Sequence, residues 1–169
     1  MGAGKTTFYE AYLKDAFPTL VPAVRAQQRP FLDDRRSFAV EDIRVDTQLL
    51  DDAKAAGYTT TVLFISTEDA NLNVGRTLIR ASRGGKTEAV STVIDSYRES
   101  TKNLAEVRKH ADELVLYDNT AHNRGCRVVA HFIGGELSKA VQTTPEWAAK
   151  VFGKDLRPAK QRAKSGRGR

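Results

Sequence analysis

Gly2-Ala3-Gly4-Lys5-Thr6-Thr7, running directly into the helix-forming stretch Lys5 to Ala16, is the segment whose reading decides the fold. It matches the second half of the phosphate-binding pattern G-x-x-x-x-G-K-[ST]. Small residues there leave backbone N–H groups free to cradle phosphate oxygens at a helix N-terminus. In that pattern Gly2, Ala3, Gly4, Lys5, Thr6 and Thr7 bind the nucleotide. Lys5 reaches the β- and γ-phosphates and the Thr6 hydroxyl holds Mg²⁺. The first glycine of the pattern, and the strand that delivers it, would fall before Met1. The expected fold therefore lacks its first central strand, and an upstream start or a degraded copy is expected. A polar tail leading into a helix is the ordinary alternative for these six residues.

Working outward, helices and strands alternate. Residues 22–36 look helical, with Pro22 in the first turn and Pro30 expected to end or kink the segment. Ser37 to Val40 reads as a short strand. Asp46 caps a helix through Ala56, and Gly57 stops it in a left-handed conformation. Thr59 to Ser66 (TTTVLFIS) is a continuous β-branched, apolar run, the pattern of a strand buried on both faces. A helix follows to Ser82, then a break at Arg83 to Lys86 and one long helix over 89–111. Residues 113–117 and 127–133 are further strands, and Gly134-Gly135 turns the chain. Thr144 and Pro145 open a last helix as its cap and first residue. This order predicts an α/β fold with a doubly wound, mainly parallel sheet of the P-loop NTPase type over residues 1–153.

Composition bounds the rest. The chain has 169 residues, 40% apolar and 28% charged, enough for one domain with a real core. Its net charge of +6 is concentrated in residues 154–169, which hold seven lysines and arginines against Asp155. That segment reads as a basic, disordered tail, either solubilising or making weak non-specific nucleic-acid contacts. Cys126 is alone, so no intrachain disulfide is expected, and with His110, His122 and His131 it shows no zinc-ligand spacing. No apolar run approaches a membrane span, and the N-terminus has no signal-peptide character. A cytoplasmic protein without membrane contact is the expectation.

The placed elements carry a family resemblance across nearly all of the chain except the tail. Ser37-Phe38-Ala39-Val40-Glu41 resembles an S-F-x-x-E strand end. Asp52-Ala53-Lys54-Ala55-Ala56-Gly57-Tyr58 resembles a helix ending A-K-x-A-G-[YF]. Arg76, Arg80 and Gly84-Gly85 resemble an R-x-x-x-R helix with its glycine lid. Tyr117-Asp118-Asn119 and Pro145-Glu146-Trp147 resemble the later Y-D-N and P-x-W elements. In this order they resemble the zeta toxin family of P-loop kinases. The resemblance implies a phosphotransferase using ATP or GTP with Mg²⁺, acting on a nucleotide sugar such as UDP-N-acetylglucosamine and opposed by an antitoxin. It implies that Glu41 faces the sugar, and that Arg76 and Arg80 neutralise charge on the transferring phosphate.

Departures from the family pattern qualify the activity. The N-A-D segment whose Asp is the base in the family has no counterpart between Phe17 and Arg36. Glu41 is followed by Asp42-Ile43-Arg44, and the G-G-H lid reads Gly84-Gly85-Lys86. Asp42 is then the candidate base. A truncated, non-catalytic relative that at most binds nucleotide is the second reading. The ordinary readings are a solvated helix face for Arg76 and Arg80, a strand end for Glu41 and Asp42, and a core cap for Trp147.

Overall fold

A computed structural model describes residues 2–121 and 125–156. In chain order its elements are α1 (Lys5–Phe8), continued by a π-helical turn (Tyr9–Leu13), then β1 (Val21–Pro22), α2 (Arg25–Asp33) and β2 (Phe38–Ala39). Next come α3 (Thr47–Ala55), β3 (Thr61–Ser66), α4 (Ala70–Ser82), α5 (Val90–Lys102) and α6 (Leu104–His110). Strands β4 (Glu113–Asp118), β5 (Arg127–Ile133) and β6 (Glu136–Ala140) precede α7 (Glu146–Phe152). Among the described residues no helix is long and apolar enough to cross a membrane.

The fold is mixed α/β, with a four-stranded sheet ordered β3-β4-β5-β6 and a separate two-stranded pair, β1-β2. The main sheet is not mainly parallel as expected. Strand β3 pairs parallel to β4, but β4-β5 and β5-β6 are antiparallel. The cause is local. Gly134 and Gly135 both hold positive φ (55° and 79°), the backbone a two-residue hairpin requires, so the chain folds straight back as β6. The short, polar β6 carried no strand signal in the sequence.

Several element ends follow from named residues. The Asp46 carboxylate accepts from the Gln48 and Leu49 N–H groups (3.0 and 3.3 Å), starting α3, and Gly57 at φ 86° stops it. Asp69 caps α4 in the same way, accepting from the Asn71 and Leu72 N–H groups. The helix expected over 89–111 is two helices, because the Asn103 side chain donates to the Val45 carbonyl (2.8 Å) and divides α5 from α6. Pro30 does not end α2. Buried Phe31 and Leu32 anchor the turn beyond it, and the Tyr58 hydroxyl donates to the Phe31 carbonyl (3.0 Å). Pro145 caps α7 from outside instead of serving as its first residue.

One face of the main sheet carries the core. Leu114, Leu116, Val129, Ala130 and Phe132 pack with Leu104, Val107, Trp147, Ala148 and Phe152. Burial alternates strictly along β4, so its other face, with Val115 and Tyr117, is only half-covered and borders a large cavity. The packed body runs past the expected end at Gly153, since Leu156 joins this core and Asp155 pairs with Arg108 (2.8 Å). The rest of the expected basic tail lies outside the described residues.

Candidate functional site

The loop Gly2 to Lys5 is held at the C-terminal ends of the two parallel strands. Gly2 (φ 75°) and Gly4 (φ 92°) are both left-handed, on either side of buried Ala3. A Cβ on Gly4 would lie 2.5 Å from the Asn119 amide nitrogen, and one on Gly2 would lie 2.5 Å from the Asn73 carbonyl oxygen. Only glycine satisfies both the backbone and the space. The Asn119 side chain donates to the Ala3 carbonyl (2.8 Å), while its own N–H donates to the Ser66 carbonyl (2.7 Å) at the end of β3. The loop is thereby fixed where ligands of α/β sheets collect.

Gly4 then turns the chain into α1, and the Phe8 N–H donates to the Gly4 carbonyl (2.9 Å). No side chain caps this helix, and an uncapped helix start favours an anion. Buried Phe8 anchors the helix against Tyr117, with the rings tilted and their centroids 4.8 Å apart. The five-residue π-helical turn that follows is a distortion often found beside functional sites.

Lys5, Thr6 and Glu41 come together. The Thr6 hydroxyl donates to the Glu41 carboxylate (3.1 Å), and the Lys5 ammonium lies 3.9 Å from the same group. Asp42 borders the same cavity, and its carboxylate accepts from the Ile43 N–H (2.6 Å). Thr7 is exposed on the first turn of α1.

Helix α4 supplies the facing wall. Buried Asn73 packs on Gly2, with its side-chain oxygen accepting from the Thr67 hydroxyl (2.9 Å). Arg76, one turn further along α4, lies on the same side of the helix. One guanidinium nitrogen of Arg76 donates to the Thr120 carbonyl (3.5 Å), and the other, Nη1, is buried with no hydrogen-bond partner among the described residues. Arg80 is exposed, its stem packed beneath Gly85. No contact joins Arg76 or Arg80 to Lys5 or Glu41 among the described residues. Cys126 is no activated nucleophile, since burial raises its thiol pKa and this outweighs the lowering by nearby Arg76.

Sequence reasoning missed Asn73 and Thr67, and noted Asn119 only as part of the Y-D-N resemblance. An asparagine just past a strand end was the visible signal for Asn119. The pairing of Gly2 with Asn73 is a tertiary contact that no local pattern announces.

Comparison with protein-family models, with curated proteins and with solved structures finds no match to this chain. The functional reading therefore rests on the site itself.

The donor set also fits a hard divalent cation. Thr6 Oγ1 and the Glu41 carboxylate are two oxygen donors 3.1 Å apart, and among the described residues no cluster of three or more His, Cys, Asp or Glu side chains could hold a metal by itself. Mg²⁺ characteristically uses one or two protein oxygens and completes its shell with phosphate oxygens and water.

Proposed function

We propose that this chain binds a nucleoside triphosphate, ATP or GTP with Mg²⁺, at the Gly2–Thr7 loop and acts as a phosphotransferase of the zeta toxin type. The observation that carries the reading is the convergence of Lys5 and Thr6 on Glu41, beside an uncapped helix start reached through two left-handed glycines. The free N–H groups of α1 and the Lys5 ammonium hold the phosphate oxygens. Thr6 and Glu41 hold the cation, which supplies charge neutralisation between the phosphates when bound. Glu41 thus serves the metal side of the site instead of facing a sugar. Arg76 is the cation proposed to neutralise charge on the transferring phosphate once the substrate is seated. Asp42, on the same cavity wall, orients and deprotonates the acceptor hydroxyl, for which a nucleotide sugar such as UDP-N-acetylglucosamine is the expected source.

The test is titration calorimetry with Mg-ATP and Mg-GTP. Wild-type chain should bind one of them, and Lys5→Ala should lose at least tenfold in affinity, about 1.4 kcal/mol. Equal affinity in the two proteins would refute the site.

A second reading, nucleotide binding without transfer, draws on the separation of Arg76 and Arg80 from Lys5 and Glu41. Transfer of radiolabelled γ-phosphate to UDP-N-acetylglucosamine distinguishes the two. Binding with no transfer selects the second.

A further inference from the structure

Asn73 stands in the first turn of α4, on the side that packs against Gly2. A Cβ on Gly2 would lie 3.0 Å from the Asn73 Cβ, so helix and loop meet at close quarters. Asn73 is only 2% exposed, yet it lines the same cavity as Lys5, Thr6 and Glu41. Its amide has an acceptor end and a donor end. The oxygen accepts from the Thr67 hydroxyl (2.9 Å). The nitrogen, Nδ2, has no hydrogen-bond partner among the described residues.

Buried polar side chains are nearly always paired, and each exception calls for a reason. Thr67 does not supply it. The single proton of its hydroxyl has a second acceptor in the Asp69 carbonyl (3.0 Å), so Thr67 would stay satisfied beside an apolar residue. An apolar residue would also leave no donor unpaired next to the loop. The chain keeps an amide here at a cost in stability, as proteins do where a ligand completes the bonding.

The neighbours say which ligand group completes it. Arg76 follows Asn73 by one turn on the same side of α4, and Arg76 is the cation proposed for the transferring phosphate. Charged groups such as Lys5 attract any phosphate chain over a distance. A neutral amide N–H acts only on an oxygen within about 3 Å, so it responds to whether one particular phosphate is present.

Given a nucleotide at the Gly2–Thr7 loop, as proposed above, we infer that Asn73 recognises the terminal phosphate. Nδ2 donates to an oxygen of the γ-phosphoryl group, and this bond makes the site prefer a triphosphate to a diphosphate. The Thr67 hydroxyl holds the oxygen end and so turns the nitrogen toward the ligand. After transfer the diphosphate leaves Nδ2 unpaired again, which favours product release.

The test is titration calorimetry of the full chain with Mg-ATP and Mg-ADP, or with Mg-GTP and Mg-GDP where guanine nucleotide is the one bound. Asn73→Ala should lower triphosphate affinity about tenfold and leave diphosphate affinity within about twofold. Asn73→Asp keeps the side chain's size and an acceptor for Thr67 but sets a carboxylate oxygen where Nδ2 stood. It should lower triphosphate affinity further than alanine does. Equal losses for the triphosphate and the diphosphate would show that Asn73 only supports the loop, and would overturn the inference. An Asn73→Asp protein that binds the triphosphate as tightly as wild type also overturns it, because the oxygen end then faces the ligand. Where the alanine protein does not fold, the isosteric Asn73→Asp decides by the same ratio. Wild-type chain that binds neither nucleotide removes the phosphate site and this role together. Wild-type chain that binds, with a ratio unmoved in the variants, removes the role of Asn73 alone.

Discussion

The Thr6 hydroxyl donates to the Glu41 carboxylate at 3.1 Å, bridging 35 positions of sequence and joining the first helix to the loop after β2. With Lys5 at 3.9 Å from the same carboxylate, Glu41 competes for the groups that a phosphate would engage. Glu41→Gln should therefore raise affinity for nucleotide without metal while reducing the gain on adding Mg²⁺. Calorimetry with and without 5 mM-scale Mg²⁺, roughly the range where weak oxygen sites fill, measures both. An unchanged magnesium response would remove Glu41 from the metal side.

Gly4 is constrained twice, by φ 92° and by Asn119 at 2.5 Å from its would-be Cβ. Gly4→Ala should cost about 1–3 kcal/mol and loosen the loop. In the double variant with Asn119→Ala, the steric part is relieved and the backbone part remains. Thermal melts of the single and double variants separate them. A Gly4→Ala protein as stable as wild type would contradict the loop conformation.

Asp118 is buried and collects three donors: Arg127 Nε (2.9 Å), Trp147 Nε1 (3.4 Å) and the Thr120 hydroxyl (2.5 Å). It ties the end of β4 to β5 and α7. Asp118→Ala strands the buried indole N–H and should cost about 1–3 kcal/mol in urea denaturation. Arg127→Ala should cost less, because Arg127 is half-exposed and water screens the pair.

His110 links α3 and α6 by bonding Asp51 (2.8 Å), with Glu106 on its other ring nitrogen (3.3 Å). Bonding to Asp51, then to Glu106, raises its pKa above the ordinary 6.5 against the opposing effect of desolvation. Lys54 also approaches, donating to the His110 carbonyl (3.2 Å). Because the folded pKa is the higher one, the stabilisation is full below pH 6.5 and fades as pH rises through the folded value. Glu106, lowered chiefly by Lys109, titrates on the acid side and does not share this window. Melting temperature should fall in wild type as pH rises above the ordinary histidine value of 6.5, and His110→Gln should flatten that slope. Parallel slopes would show that the contact contributes nothing.

The helices and long strands were legible because each carries its own signal. Asp46 and Gly57 mark the ends of α3, and the β-branched run ending at Ser66 could only be a strand. The hairpin to β6 was not, since Glu136–Ala140 is polar and held by pairing with β5. At the site, Lys5, Thr6 and Glu41 were readable as residue types in order, and the structure brings them together. Asn73 and Asn119 were not, because they act on the loop through contacts between distant segments. The placement of Arg76 and Arg80 depends on how α4 rotates against the loop, which spacing alone does not define.

Among the described residues the largest fully buried side chains, led by Phe132, Phe152, Leu104, Leu114 and Leu116, lie after β3 begins, whereas Lys5, Thr6 and Glu41 stand on the segment that precedes it. That segment is held to the core by side-chain ties, among them Asn119 to Ala3, Phe8 to Tyr117, Asn103 to Val45 and His110 to Asp51. Such an arrangement divides the chain into a firm unit and a looser one with its own, lower opening free energy. Amides of residues 2–58 should exchange well before those of β4 and β5. Apparent ligand affinity is then the intrinsic affinity multiplied by the closed fraction of the looser unit. Substitutions in β1 or β2, far from any phosphate, would weaken binding simply by changing how often the site exists.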